Sequence, residues 1–162
     1  MAHRPYVAVV GPSDATSQET RAAETIGRGL AEAGAILITG GLTGVMEAAC
    51  HGASAAGGTT VGFLPGSDRT QANEYLQIAL PTGLGELRNG LIVRAADAVI
   101  AVGGAYGTLS EIALALRTDV PVVGLDTWDV EGIERVNTPA EAVRRALQSA
   151  TSRPGRSGRS DS

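Results

Sequence analysis

The sequence predicts one Rossmann-like α/β domain, an open and mainly parallel sheet flanked by helices on both faces. Short apolar runs without polar alternation recur over 6–10, 35–39, 59–64, 98–102 and 120–125, as in strands covered on both sides. Helix-length stretches joined by short links lie between them, the pattern of right-handed crossovers. Glycine clusters follow the first, second and fourth of these runs. Open parallel sheets bind ligands at that carboxyl edge.

Each element has its own signal. Tyr6 to Val10 is valine-rich and stops at Gly11-Pro12-Ser13. Thr16-Ser17-Gln18-Glu19 has capping-box spacing and opens a helix that runs to about Ala33, with Gly34 as its stop. A strand over 35–39 leads through Gly40-Gly41 into a helix over 43–56, closed by Gly57-Gly58. A third strand spans 59–64, and the polar stretch 65–75 reads as a surface loop. A short strand over 76–80 and a helix over 83–96 precede the strand over 98–102. A helix over 108–117 and a strand over 120–125 follow. Thr138-Pro139-Ala140-Glu141 opens the last helix with a capping box and a first-turn proline. Residues 1–150 therefore form the domain, and 151–162, rich in Ser, Arg and Gly, read as a disordered tail.

Composition narrows the function. Of 162 residues, 43% are apolar and 19% charged, which suits a globular chain with a real core. A net charge of −4 supplies no basic field for a nucleic acid backbone, so no nucleic-acid partner is expected. No apolar run is long enough to span a membrane and no signal peptide is evident, so the expected location is cytoplasmic. One cysteine, Cys50, excludes an internal disulfide, and Cys50 and His51 belong to no cluster at metal-ligand spacing, so no metal site is expected. There is no Ser-His-Asp or Cys-His set. The chain also contains no lysine, which rejects a Schiff-base decarboxylase.

The glycine turns are the candidate phosphate cradle. In the third, Gly103, Gly104 and Gly107 allow close backbone approach, the helix start offers N–H groups to an anion, and Thr108 adds a hydroxyl. The same residues fit a plain turn in which Thr108 is the helix N-cap and Glu111 completes a capping box. Gly40, Gly41 and Gly44 form a second turn of this type, with Met46 read as core. It lacks the lysine of G-x-x-x-x-G-K-[ST], and neither turn matches G-x-G-x-x-G. Gly11 and Ser13 make the first turn, where Ser13 either binds an anion or shapes the loop. Arg88 and Asn89 precede the fourth buried strand. Arginine forks onto phosphate or carboxylate, and the alternative is a solvated helix face paired with Glu86. Arg94 and Asp97 read as structural.

Residues 5–148 resemble the Lonely Guy (LOG) superfamily, long misnamed lysine decarboxylases, and within it the branch containing molybdenum cofactor carrier proteins. The resemblance rests on Gly40-Gly41-Leu42-Thr43-Gly44-Val45-Met46, on Gly83-Leu84-Gly85-Glu86-Leu87-Arg88-Asn89, and on Ala96-Asp97-Ala98-Val99-Ile100 leading into Gly103 to Glu111. LOG enzymes carry P-G-G-x-G-T-x-x-E and hydrolyse nucleoside 5′-monophosphates to free base and ribose 5-phosphate. The resemblance places their catalytic arginine on Arg88 and their glutamate on Glu111. Here Gly103 replaces the proline, Ala105 a glycine and Asn89 a lysine. The Arg-Asn pair and leading Gly-Gly are the carrier pattern, although Ala105 departs from its third glycine.

The resemblance thus implies a carrier of a phosphorylated ligand such as molybdopterin cofactor, with no cofactor required for its own function. The alternative is a phosphoribohydrolase working through Arg88 and Glu111. A nucleotide-sensing module ranks last. The resemblance also implies a homodimer or homotetramer, often through the two helices bearing Arg88 and Glu111. Leu87, Leu91, Ile112 and Leu116 suit either a core or such an interface.

Overall fold

The structure, a computed structural model, describes residues 3–152. Its strands are β1 (Tyr6–Val10), β2 (Ile36–Thr39), β3 (Thr59–Leu64), β4 (Ile78–Pro81), β5 (Ala98–Val102), β6 (Val122–Leu125) and β7 (Glu134–Val136). They form one seven-stranded sheet in the order β4-β3-β2-β1-β5-β6-β7, and every pairing is parallel. The helices are α1 (Ser17–Glu32), α2 (Val45–Ala55), α3 (Asn89–Ala95), α4 (Tyr106–Arg117) and α5 (Pro139–Ser152). The expected open, parallel Rossmann-like α/β fold is the observed one.

Strand alternation sorts the core into two layers. Val7 and Val9, Ala98, Ile100 and Val102, and Val123 and Leu125 face α1, α2 and α5. Ala8 and Val10, Val99 and Ala101, and Val122 face α3 and α4. Every residue of β5 is buried, as a central parallel strand requires. α1 and α2 pack with their backbones in contact. A Cβ on Gly27 would run into the Ala49 carbonyl, and one on Gly52 into the Glu24 carbonyl.

The capping signals set the helix starts. The Thr16 hydroxyl accepts from Glu19 N at 3.1 Å, and Glu19 Oε2 accepts from Thr16 N at 2.9 Å. In α5, Thr138 Oγ1 accepts from Glu141 N at 3.1 Å, but Glu141 reaches back to Asn137 N at 3.3 Å.

Several bounds differ from expectation, and one strand is new. The helix expected over 83–96 is a 3-10 turn, Gly85–Arg88, followed by α3, because Gly83 and Gly85 sit at φ +66° and +58° and break the run. The last central strand starts at Val122. β7 was not expected: its Glu134 and Arg135 are exposed and only Val136 is buried, so it leaves no apolar run. α5 continues to Ser152, past the expected end at 150. The rest of the expected tail, 153–162, lies outside the described residues.

Candidate functional site

β1 and β5 are neighbours, yet α1 leaves β1 toward β2 on one face and α4 leaves β5 toward β6 on the other. The chain direction therefore diverges between the first and third glycine turns, the crevice where such sheets bind ligands. All three turns lie at this carboxyl edge, but they do different things.

The first two turns lock onto each other. Val45 N donates to Pro12 O at 3.1 Å, and the Thr43 hydroxyl donates to Ser13 O at 3.3 Å. Gly44 has φ +67°, and a Cβ there would strike the Pro12 and Ser13 carbonyls. A Cβ on Gly11 would press on Val102 O and the Val45 side chain. Gly41, at φ +77°, packs under Leu64 and Leu76. Close packing of chain on chain accounts for these glycines, and Pro12 O occupies one of the N–H groups at the start of α2.

The third turn stays open. Ala105 is the N-cap of α4, and no side chain caps that helix. Thr108 therefore lies inside the first turn rather than capping it, and the Thr108–Glu111 capping box is not formed. Thr108 is 2% exposed and its hydroxyl has no hydrogen-bond partner among the described residues. Gly103 (φ +68°) has the Glu19 carboxylate where a side chain would start. Gly104 and Gly107 are exposed, and a Cβ on Gly107 would meet nothing within 4 Å. Protein packing does not require a glycine at 107.

Beside this turn, the 3-10 turn ahead of α3 and the helix α4 bring Arg88 and Glu111 near each other, each 8% exposed. A solvated face for Arg88 is thereby excluded. Arg88 Nε donates to Phe63 O at 3.0 Å, and Nη1 donates to Asn89 Oδ1. Asn89 Nδ2 donates to Ser110 Oγ at 3.1 Å, and Ser110 Oγ donates to Gly107 O at 2.7 Å. Nη2 lies 3.0 Å from where a Gly40 Cβ would be, so that glycine makes room for the guanidinium. Burial pushes the Glu111 carboxyl up to about 7, with the Arg88 charge acting against that rise. Burial likewise lowers the Arg88 guanidinium from its usual range, opposed by Glu111 and Glu86.

Asn89, expected on the ligand, is 6% exposed and joins Arg88 to Ser110. Sequence reasoning missed Ser110, Trp128 and Tyr106. Trp128 Nε1 donates to Ala105 O at 3.0 Å, and its ring stacks on Tyr106 at 5.9 Å, leaving Tyr106 84% exposed. The only available signal was an aromatic residue placed between the glycines of the turn. Met46 and Asp97 have the structural roles expected: Met46 is buried, and Asp97 Oδ2 accepts from Tyr6 N at 2.9 Å. Of the apolar quartet, Ile112 is core and Leu116 packs partly buried against it, whereas Leu87 is 78% exposed and Leu91 is also exposed. A cavity of about 600 Å³ opens on the opposite face of the sheet, between the first turns of α1 and α5. Among the described residues no group of three or more His, Cys, Asp or Glu is placed to hold a metal, and no helix is long and apolar enough to cross a membrane.

The family model of SLOG cluster4 matches residues 4–152. The chain belongs to the SLOG cluster4 family. A relative within reach of this SLOG cluster4 chain is an uncharacterized protein of Archaeoglobus fulgidus, 41% identical over 145 residues, covering 89% of this chain and 95% of that one. Among solved structures it is similar to the molybdenum cofactor binding protein of the phototrophic bacterium Rippkaea orientalis, with 34% identity and a TM-score of 0.87. That match covers 94% of this chain and all of the other. The molybdenum cofactor carrier protein of Chlamydomonas reinhardtii matches at 34% identity and a TM-score of 0.84, over 92% and 99% of the two chains. The resemblance to the carrier branch read from the motifs is thus upheld.

Proposed function

We propose that this SLOG cluster4 protein binds a phosphate-bearing, nucleotide-like small molecule at the start of α4 and carries it without turning it over. The buried Thr108 hydroxyl, unpartnered at the uncapped α4 N-terminus, carries the reading. A buried polar group without a partner costs about 1–3 kcal/mol, and a ligand oxygen would satisfy it. First-turn N–H groups and the helix dipole favour an anion there. Gly104 and Gly107 leave the approach open. These residues fit a phosphate group, and the relatives point to molybdenum cofactor as the cargo. Gly103 and Thr108 would flank the phosphate, while Gly11, Ser13, Gly40, Gly41 and Gly44 hold the frame around it.

The test is a Thr108→Val variant, which keeps the shape and removes the hydroxyl. Titrated with molybdenum cofactor, it should bind at least about tenfold more weakly while remaining folded. Unchanged affinity would reject Thr108 as the phosphate contact.

Hydrolysis of nucleoside 5′-monophosphates is the second reading, favoured by Glu111 titrating near neutrality beside Arg88. Such a carboxyl suits an acid or base, or stabilises an oxocarbenium ion as the base departs. Incubation with a monophosphate panel decides between the two. Base release that Glu111→Ala abolishes establishes the enzyme, and silence from folded protein leaves carriage.

The reading includes a second copy of the chain on the α3–α4 face. Leu84, Leu87, Leu91 and Leu114 are exposed on that face and would be covered by it.

A further inference from the structure

Thr108 and Glu111 lie one turn apart on the buried side of α4, in line with Ile112 and Ala115. Residues three apart on a helix are neighbours, about 5–6 Å between Cβ atoms. Side chains on a helix lean toward its N-terminus, so the long Glu111 side chain extends back over the turn that carries Thr108. The anion site at the start of α4 and this carboxyl therefore share one crevice. Neither is satisfied by the protein. The Thr108 hydroxyl is unpartnered, and no hydrogen bond from the described residues reaches the Glu111 carboxylate, on which only burial and the charge of Arg88 act. Arg88 does not close on it: Nε is committed to Phe63 O and Nη1 to Asn89 Oδ1, and no ion pair joins the two. Glu86, in the same 3-10 turn, acts on Arg88. α3 turns Asn89, Ile92 and Val93 inward and keeps Arg94 on its exposed side, while β5 and β6 offer α4 only apolar residues and Gly124. Arg117 of α4 itself is exposed in the last turn, at the far end of the helix.

We propose that Glu111 makes loading of this site proton-linked: the protonated carboxyl donates a hydrogen bond to the bound phosphate, and the ionised carboxylate expels it. The inference rests on the phosphate-binding reading of the α4 turn and names how that site is regulated. A phosphate ester has its second pKa at about 6 and is a dianion above neutrality. Beside an ionised carboxylate it meets like charge in a poorly solvated crevice, whereas a carboxyl hydrogen offers it a charge-assisted bond. Loading the dianion therefore draws one proton from water onto Glu111, and loss of that proton unloads the site. Glu111 titrates at about 7, so at pH 6.5 most carboxyls are protonated and at pH 8 about nine-tenths are ionised. Affinity should thus fall by up to about tenfold for each pH unit above 7. The ligand is held on the acid side of neutrality and given up on the alkaline side.

Titration calorimetry with ribose 5-phosphate tests this at pH 6.5 and pH 8, in buffers of different ionisation enthalpy, which counts the protons taken up with the ligand. Wild type should take up about one proton per ligand at pH 8 and bind roughly five- to tenfold more weakly than at pH 6.5. Glu111→Gln, whose amide donates at every pH, should take up none at pH 8 and bind more tightly than wild type there. The wild-type count stands by itself, without the variant. Binding without proton uptake, or uptake that persists in Glu111→Gln, would overturn the proton link and leave the phosphate reading standing. No binding of ribose 5-phosphate at either pH would overturn the phosphate reading and the proton link with it.

Discussion

Asn89 Nδ2 donates to Ser110 Oγ at 3.1 Å, which joins the start of α3 to the first turn of α4. Through Asn89 Oδ1 the link reaches Arg88, and through the Ser110 hydroxyl it reaches Gly107 O. The guanidinium and the open turn are therefore held in one frame. Ser110→Ala should leave the fold intact at a cost of about 1 kcal/mol and loosen both ends. Phosphate-ligand affinity should fall several-fold, read by titration calorimetry. An affinity equal to wild type would show that the link is only structural.

Glu111 gives the protein an inverted pH profile at one position. Its carboxyl titrates at about 7 in the folded chain against an ordinary value of 4.5. Below 4.5 it is protonated in both states and has no effect. Between 4.5 and 7 only the unfolded chain ionises, so stability falls as pH rises, and above 7 the full loss persists. Glu111→Gln should therefore stabilise the protein at pH 8 by up to about 3 kcal/mol, and the gain should vanish toward pH 4.5. Urea denaturation at pH 5 and pH 8 measures it. A variant less stable than wild type at pH 8 would contradict the assignment.

Glycines that look alike in the chain should respond oppositely to alanine. At Gly107 the methyl meets nothing, and Ala gains helix propensity, so stability should hold or rise by about 0.5–1 kcal/mol while phosphate-ligand affinity drops at least about tenfold. At Gly44 the methyl would strike two carbonyls from a strained φ, so Ala should cost about 2 kcal/mol or more. Thermal melts and a binding titration on the two variants separate the cases.

This contrast marks where the sequence stops being legible. The sheet was readable because strands buried on both faces leave bare apolar runs, and the helix starts were readable from Thr16 and Thr138. β7 was not, since an edge strand with two exposed charged residues leaves no such run. Gly44 and Gly107 carry the same letter in similar turns, and only what lies opposite them in space tells a packing glycine from an open one. The burial of Arg88 was not legible, and its solvated-face alternative stayed open, because its acceptor, Phe63 O, is 25 residues away. Likewise the Thr108–Glu111 spacing mimics a capping box, but α4 begins at Tyr106 and carries both residues into its buried side.

Trp128 is the only tryptophan in the chain, stacked on Tyr106 and bonded to Ala105 O beside the proposed phosphate site. Ligand binding should change its fluorescence, and Tyr106→Ala should alter the baseline spectrum. A saturating ligand that leaves the emission untouched would place binding away from the α4 turn.

Leu87 is the most exposed leucine of the α3–α4 face. Leu87→Glu should convert an oligomer to monomer in sedimentation velocity with little change in melting temperature. An unchanged sedimentation coefficient would place the oligomer contact elsewhere.

The backbone contact of α1 with α2 sets how this molecule can diversify. Glycines 27 and 52 admit no larger residue, and they clamp together the helices that follow the two interlocked turns. That half of the crevice is a fixed anvil. The α4 turn, with an exposed glycine at 107 and a cap made by no side chain, is the part where substitutions survive folding. New ligand preferences in such a scaffold would therefore accumulate at 104–107, on a frame that leaves no room for change at its clamp.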